Sequence, residues 1–189
     1  MNRMHPMTDA QLASLRDAAA NAGPREVALV TLMTQHAMRA SEVTGLKVSA
    51  VNFKDNTLSI SRLKGSVSKV ERMTPDTRAA LAAWLAVKSE GEYLFPGSST
   101  RGTGQLSRQQ LYNIFRGLTE AAGIPATSRA PHSARHTIGQ TLAEKGATMQ
   151  LIQAVMGHKN SNSTAQYFEL RQSSVDEQKA KLLGLVVAA

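Results

Sequence analysis

Apolar positions recur at helical spacing over most of the chain and switch to strict alternation in one short stretch. Thr8 with Gln11 three residues later forms a capping box, and the Leu12 and Leu15 that follow predict a helix ending near Gly23. Pro24 opens a second helix through Val27, Leu29, Val30, Leu32 and Met33. It is apolar almost all round, so it belongs in the core, and it is expected to end near Met38 and Arg39. Ser41 then caps a short turn. From Val48 to Met73 the period changes to two, with Val51 and Phe53, then Leu58, Ile60 and Leu63, then Val70 and Met73 as the inward positions. This predicts three antiparallel strands, turning at Lys54-Asp55-Asn56 and at Lys64 to Ser68.

Helical spacing returns at Thr74, an N-cap followed by Pro75, and continues through Leu81, Trp84 and Leu85 to a stop near Gly91. Pro96 to Gly104 is the one long loop. Ser107 and Gln110 form a second capping box ahead of Leu111, Ile114, Phe115 and Leu118, closed by Gly123. Further helices are expected over Pro131 to Lys145, closed by Gly146, and Thr148 to Met156, closed by Gly157. A turn or two around Tyr167 and a last helix from Ser174, with Glu177 in its capping box, complete the chain. The fold class is mainly α with one small three-stranded antiparallel sheet.

Composition narrows the function. With 189 residues, 42% hydrophobic and 19% charged, the chain is long enough for one domain with a full core, and it contains no apolar run of membrane-spanning length. No secretory signal opens it, so a cytoplasmic protein is expected. The absence of cysteine excludes disulfide frameworks, thiolate nucleophiles and cysteine zinc sites. Lys and Arg number 22 against 14 Asp and Glu, a net charge of +8 dispersed along the chain, which points to a polyanion. Only 4% of residues are aromatic, which argues for duplex backbone over single-strand stacking platforms.

The chemistry concentrates in residues 131–167. His132 and Arg135, three apart, share a helix face and are expected in the first turn of a helix, where unpaired N–H groups and the dipole favour an anion. Ala134, Ile138 and Leu142 on another face press that helix onto the core. Gly157 ends the next helix and presents His158, and Tyr167 follows nine residues later. His132 and His136 have the spacing of a zinc pair, but Ser133 stands where that motif has Glu and no third ligand is evident, so His136 reads as a packed histidine holding the helix. Taken singly, Tyr167 reads as a core or surface aromatic, Lys64 as a turn lysine and Arg39 as a helix C-terminal cap. Their joint order changes that reading.

His132-x-x-Arg135-His136-Thr137, then Leu151-Ile152-Gln153 leading to Gly157-His158, then Tyr167, resembles the catalytic domain of the tyrosine recombinases, the phage integrases, Cre and the Xer recombinases. Arg39-x-Ser41-Glu42-Val43 is similar to their first arginine box, and Lys64-Gly65 to their hairpin lysine. The resemblance spans residues 8–183 and leaves 184–189 as an apolar tail. It implies a site-specific recombinase that cuts and rejoins duplex DNA through a 3′-phosphotyrosyl intermediate, with no metal and no cofactor. Arg39 and Arg135 would neutralise the phosphate, Tyr167 attack it and Lys64 protonate the leaving oxygen. His132 and His158 would assist, with Glu42 orienting the group.

Lys69 lies in the same hairpin and competes with Lys64 for the acid's role. Type IB topoisomerase activity, and a DNA-binding regulatory module that has lost cleavage, are the alternative functions. Two residues depart from the family pattern: Ala37 replaces a usual glycine and Ala134 a usual leucine. The N-terminal DNA-clamping domain that most members carry is not expected here, and two explanations compete: a natural minimal recombinase, as the fimbrial-switch invertases are, or a fragment or relic that needs help to hold DNA. The resemblance further implies a homo-tetramer on two DNA sites and a monomer or weak oligomer without DNA, nucleoid-associated. The apolar end, Leu182, Leu183, Leu185, Val186 and Val187, would dock on a neighbour or fold back.

Overall fold

Short polar side chains cap four of the eight α-helices among the described residues. In this computed structural model, which describes residues 5–61, 69–97, 104–158, 162–165 and 167, Thr8 Oγ1 accepts the Gln11 N–H at 3.2 Å while Gln11 Oε1 accepts the Thr8 N–H at 3.0 Å. These bonds satisfy two of the orphan donors at the start of α1 (Asp9–Ala22). Ser107 and Gln110 form the same reciprocal pair ahead of α5 (Arg108–Ala121), while Thr74 caps α4 (Pro75–Val87) and Thr148 caps α7 (Met149–Met156) by accepting the N–H three residues on. The remaining helices are α2 (Pro24–Gln35), α3 (Ala40–Thr44), α6 (Pro131–Glu144) and α8 (Asn162–Ala165).

Three local expectations need correction. Helix α2 stops at Gln35 instead of near Met38, because Ala37 takes a left-handed backbone, φ +49°, that no right-handed helix accommodates. Arg39, not Ser41, is the N-cap of α3: Glu42 reaches back to accept the Arg39 N–H at 2.8 Å, which makes Ser41 an interior residue. Helix α4 ends at Val87, four residues short of Gly91, where Lys88 Nζ turns to the carbonyl oxygens of Ser89 and Gly91.

The sheet is antiparallel in the order β1 (Val51–Asn52), β2 (Thr57–Ile60), β3 (Lys69–Arg72), with Leu58 opposite both Val51 and Glu71. In β2 the alternation holds, since Leu58 and Ile60 are buried. In β3 the faces are reversed: Val70 is 67% exposed, and the inward positions are Lys69 and Glu71. The second hairpin turn, with Leu63, Lys64 and Gly65, lies outside the described residues. So do the expected helix from Ser174 and the apolar end of the chain.

Helix α2 packs against α1, α4 and α6 and forms the centre of the main core with Leu29, Leu32 and Met33 fully buried. A second, smaller cluster brings together Ala37, Ile152, Met156 and Tyr167, with Ile138 and Leu142 against it. Ala134 faces the main core, whereas Ile138 and Leu142 face this second cluster, so α6 stands between the two. Near the chain's start the buried Met7 donates its N–H to Thr137 Oγ1 at 2.8 Å, which ties the approach to α1 onto α6. Among the described residues no helix is long and apolar enough to cross a membrane.

Candidate active site

Helices α2, α6 and α7 converge on one guanidinium. Arg135 is 1% exposed, and its two terminal nitrogens donate to the carbonyl oxygens of Ala37, just past α2, and Met156, at the end of α7. The left-handed turn at Ala37 is thereby explained, because it places a carbonyl where the buried Arg135 requires an acceptor. Two residues later the chain begins α3 with Arg39, whose Nη1 donates to Glu42 Oε1 at 2.7 Å. Glu42 Oε2 lies 4.0 Å from Arg135 Nη1. A carboxylate with no exposed side-chain surface therefore bridges two arginines, one buried and one, Arg39, with 31% of its side chain exposed.

Ala37 stands where glycine would be free of strain. A left-handed alanine costs about 1–2 kcal/mol. The buried methyl returns about 0.8 kcal/mol, and alanine loses less unfolded-state entropy than glycine. We therefore expect Ala37→Gly to leave stability within about 1 kcal/mol, while Ala37→Val, β-branched and overpacked, loses about 2–4 kcal/mol. Denaturant midpoints of the two variants check both values.

His132 sits in the first turn of α6, while Arg135 falls in the second turn, so the pair spans both turns and does not share the first. Burial lowers the pKa of His132, and the positive charges of Arg135 and Arg39 lower it further, which leaves the imidazole neutral at pH 7. Its flank opens into a cleft of about 640 Å³ lined by Ala40, Arg108, Gln109, Tyr112, Ala130 and Pro131. Tyr167 is 7% exposed, and its ring lies 5.0 Å from that of His136, tilted by 46°. Burial raises the pKa of the Tyr167 phenol, and the nearby Arg135 charge opposes the rise. His136, lowered by burial and then by His132, thus borders the tyrosine as well as packing its own helix.

His158 follows Gly157, which takes φ +60° and ends α7. Its Nδ1 shares a hydrogen bond of 3.0 Å with Thr164 Oγ1 on α8, and Gln153 Nε2 donates to its carbonyl at 3.1 Å. Arg39, Glu42, His132, Arg135, His136 and Tyr167 are thus brought together, with His158 two residues beyond the Met156 carbonyl that holds Arg135. Lys64 lies outside the described residues.

Lys69 proves to be a strut between the sheet and α7. Its ammonium pairs with Glu71 and donates to the Val155 carbonyl at 2.9 Å and that of Ala154 at 3.4 Å. Glu71 also meets His36 Nδ1 at 2.5 Å, and His36 Nε2 meets Thr77 Oγ1 at 3.0 Å. Burial pushes the Glu71 carboxyl up, but the hydrogen bonds from His36 and Lys69 outweigh it and hold the group below its ordinary range. Reading the sequence missed this network and Thr164 altogether. A polar residue at every second position of a short strand was the available sign for Lys69 and Glu71, whereas Thr164 carried none.

Comparison with known proteins adds to this geometry. The phage integrase family matches residues 5–174. The type 1 fimbriae regulatory protein FimE of Escherichia coli (strain K12) is 35% identical over 153 residues, 77% of this chain and 74% of FimE. Tyrosine recombinase XerD of Brucella abortus biovar 1 (strain 9-941) is 30% identical over 146 residues, 74% of this chain and 46% of XerD. The crystal structure of XerA recombinase superposes with a TM-score of 0.77 at 23% identity, covering 95% of this chain and 65% of XerA. That of XerH site-specific recombinase bound to difH substrate does so at 0.75 and 18% identity, covering 94% of this chain and 55% of XerH. The chain thus spans about half to two thirds of these Xer proteins.

Proposed function

The chain belongs to the phage integrase family, the tyrosine-type site-specific DNA recombinases, and from that premise we propose the course of its reaction. Residues 8–183 form the catalytic domain, which grips duplex DNA and cuts one strand by attack of the Tyr167 hydroxyl on phosphorus. The 5′-oxygen leaves, a 3′-phosphotyrosyl bond forms, and a 5′-hydroxyl from the partner strand later reverses the step. The bond energy is conserved in the phosphotyrosyl link, so no cofactor is consumed.

The observation that carries this reading is the arginine pair joined at Glu42 beside a buried tyrosine. Charge grows on the non-bridging oxygens in the transition state. Arg39 meets it from the exposed side and Arg135 adds a fixed positive charge from beneath, where low polarity strengthens it. Neutral His132 accepts the tyrosine's proton, and His158, oriented by Thr164, donates a hydrogen bond to the phosphate. Lys64 protonates the leaving oxygen. The commitment of Lys69 to Glu71 and the end of α7 favours Lys64 over Lys69 for that task. Four protomers assemble on two DNA sites at the nucleoid, with the apolar end of each chain docked on a neighbour.

Incubation with a nicked duplex whose cleaved strand cannot religate tests the reading: a covalent protein–DNA adduct supports it, and binding without an adduct overturns it. The pH dependence of adduct formation follows from His132. Its folded pKa is depressed below 6.5, so the neutral base persists through neutrality and is lost only as pH falls through that lowered value. We expect a single-turnover rate that holds from pH 8 to 6.5 and declines on further acidification, with the decline absent in His132→Gln.

A further inference from the structure

Among the described residues two glycines lie inside long helices, and they differ. A Cβ placed on Gly117 in α5 meets nothing within 4 Å. One placed on Gly139 in α6 would stand 2.7 Å from both Cε1 and Cε2 of Tyr167 and against Cζ, closer than real Cβ atoms approach any neighbour. The phenol-bearing end of the ring therefore rests on bare helix backbone. Gly139 is in ordinary helical conformation, where glycine disfavours the helix, so backbone freedom does not account for it. The ring contact does. The ring also meets that of His136 and shares a buried cluster with Ala37, Ile152 and Met156, and Gly139 is four residues, about one turn, beyond Arg135 on the same helix.

We propose that Gly139 is a positioning residue, whose missing side chain forms the seat that fixes the Tyr167 hydroxyl relative to Arg135 and the phosphate. This rests on Tyr167 being the nucleophile. The seat acts on orientation, and a ring displaced by a methyl group leaves the line of attack, for which a shift of about 1 Å is sufficient to slow chemistry strongly. Burial in the same seat raises the phenol's pKa, so displacement also brings its ionisation towards that of an exposed tyrosine.

The test uses Gly139→Ala, Tyr167→Ala and their combination in the full chain. On the nicked duplex, Gly139→Ala is expected to slow adduct formation by about tenfold or more at unchanged DNA affinity. Ultraviolet titration, with Tyr167→Phe subtracted to isolate one of the three tyrosines, is expected to show Tyr167 ionising at lower pH in Gly139→Ala. In the Tyr167→Ala background, where no ring needs the seat, Gly139→Ala is expected to raise the melting temperature, and in the wild-type background to lower it. An unchanged or faster adduct rate overturns the proposal, as does a melting temperature that rises equally in both backgrounds. If the wild-type protein forms no adduct, the nucleophile assignment fails, while the titration and the melting cycle still decide whether Gly139 seats the ring.

Discussion

Tyr167→Phe is expected to abolish the covalent adduct with nicked duplex DNA, a loss of about 10⁴-fold or more in rate, while DNA affinity changes by less than about fivefold. The asymmetry follows from what is removed. In the proposed reaction that one hydroxyl carries the nucleophilic oxygen, and without it no phosphotyrosyl bond can form. The ring, its contact with His136 and its place in the second cluster all remain, because phenylalanine has the same outline. Affinity for the duplex is carried by cations, and the net charge of +8 is untouched. At most one neutral hydrogen bond is lost, about 1 kcal/mol. The informative competitor is Tyr112, 41% exposed and lining the cleft beside His132. An adduct that persists in Tyr167→Phe and disappears in Tyr112→Phe would transfer the nucleophile to α5 and overturn the assignment. Gel separation of adduct from free strand, with filter binding for affinity, measures both quantities.

The parts of the structure that were legible in the sequence are those decided by local chemistry. Thr8, Thr74 and Ser107 each cap the helix expected of them, because a short side-chain oxygen satisfies an orphan N–H two or three residues away, and Thr148, expected as the first residue of its helix, caps it. The order Arg39, His132, Arg135, His158, Tyr167 was legible too, and the fold brings most of that set together. Illegible were the features that one part of the chain imposes on another. Nothing local in Gln35-His36-Ala37-Met38 tells the helix to stop. The stop is set by Arg135, 98 residues away, which needs the Ala37 carbonyl. Strand β3 turns Lys69 and Glu71 inward because His36 and the last carbonyls of α7 offer them partners, and alternation alone favoured Val70. Gly139 did leave a sign, an interior helix glycine, whose meaning required the position of a ring 28 residues later.

Arg135→Ala is expected to fail twice, in folding and in chemistry, and comparison with Arg39→Ala separates the two. Removing the Arg135 side chain leaves the buried Ala37 and Met156 carbonyls without its N–H donors and takes one of two cations from the buried carboxylate of Glu42. Breaking a buried charge pair costs about 3–5 kcal/mol, a large part of the 5–15 kcal/mol that holds an ordinary domain folded. For a chain of this length about 4 kcal/mol corresponds to a fall in melting temperature of roughly 8–16 °C. Arg39 is partly exposed, and when it is truncated Glu42 keeps Arg135 nearby and still accepts the residue-39 backbone N–H. Its loss is expected to cost about 1 kcal/mol, or roughly 2–4 °C. In the proposed reaction both variants lose a positive charge that stabilises the phosphate's growing charge, Arg39 from the exposed side and Arg135 from beneath, so both are expected to slow adduct formation by about 10²-fold or more at temperatures where they remain folded. Scanning calorimetry beside single-turnover cleavage distinguishes the cases. If Arg39→Ala melts as low as Arg135→Ala, the carboxylate bridge leans on the exposed arginine. If Arg135→Ala cleaves at the wild-type rate while folded, the buried guanidinium is scaffold alone, and Arg39 with His132 carries the phosphate.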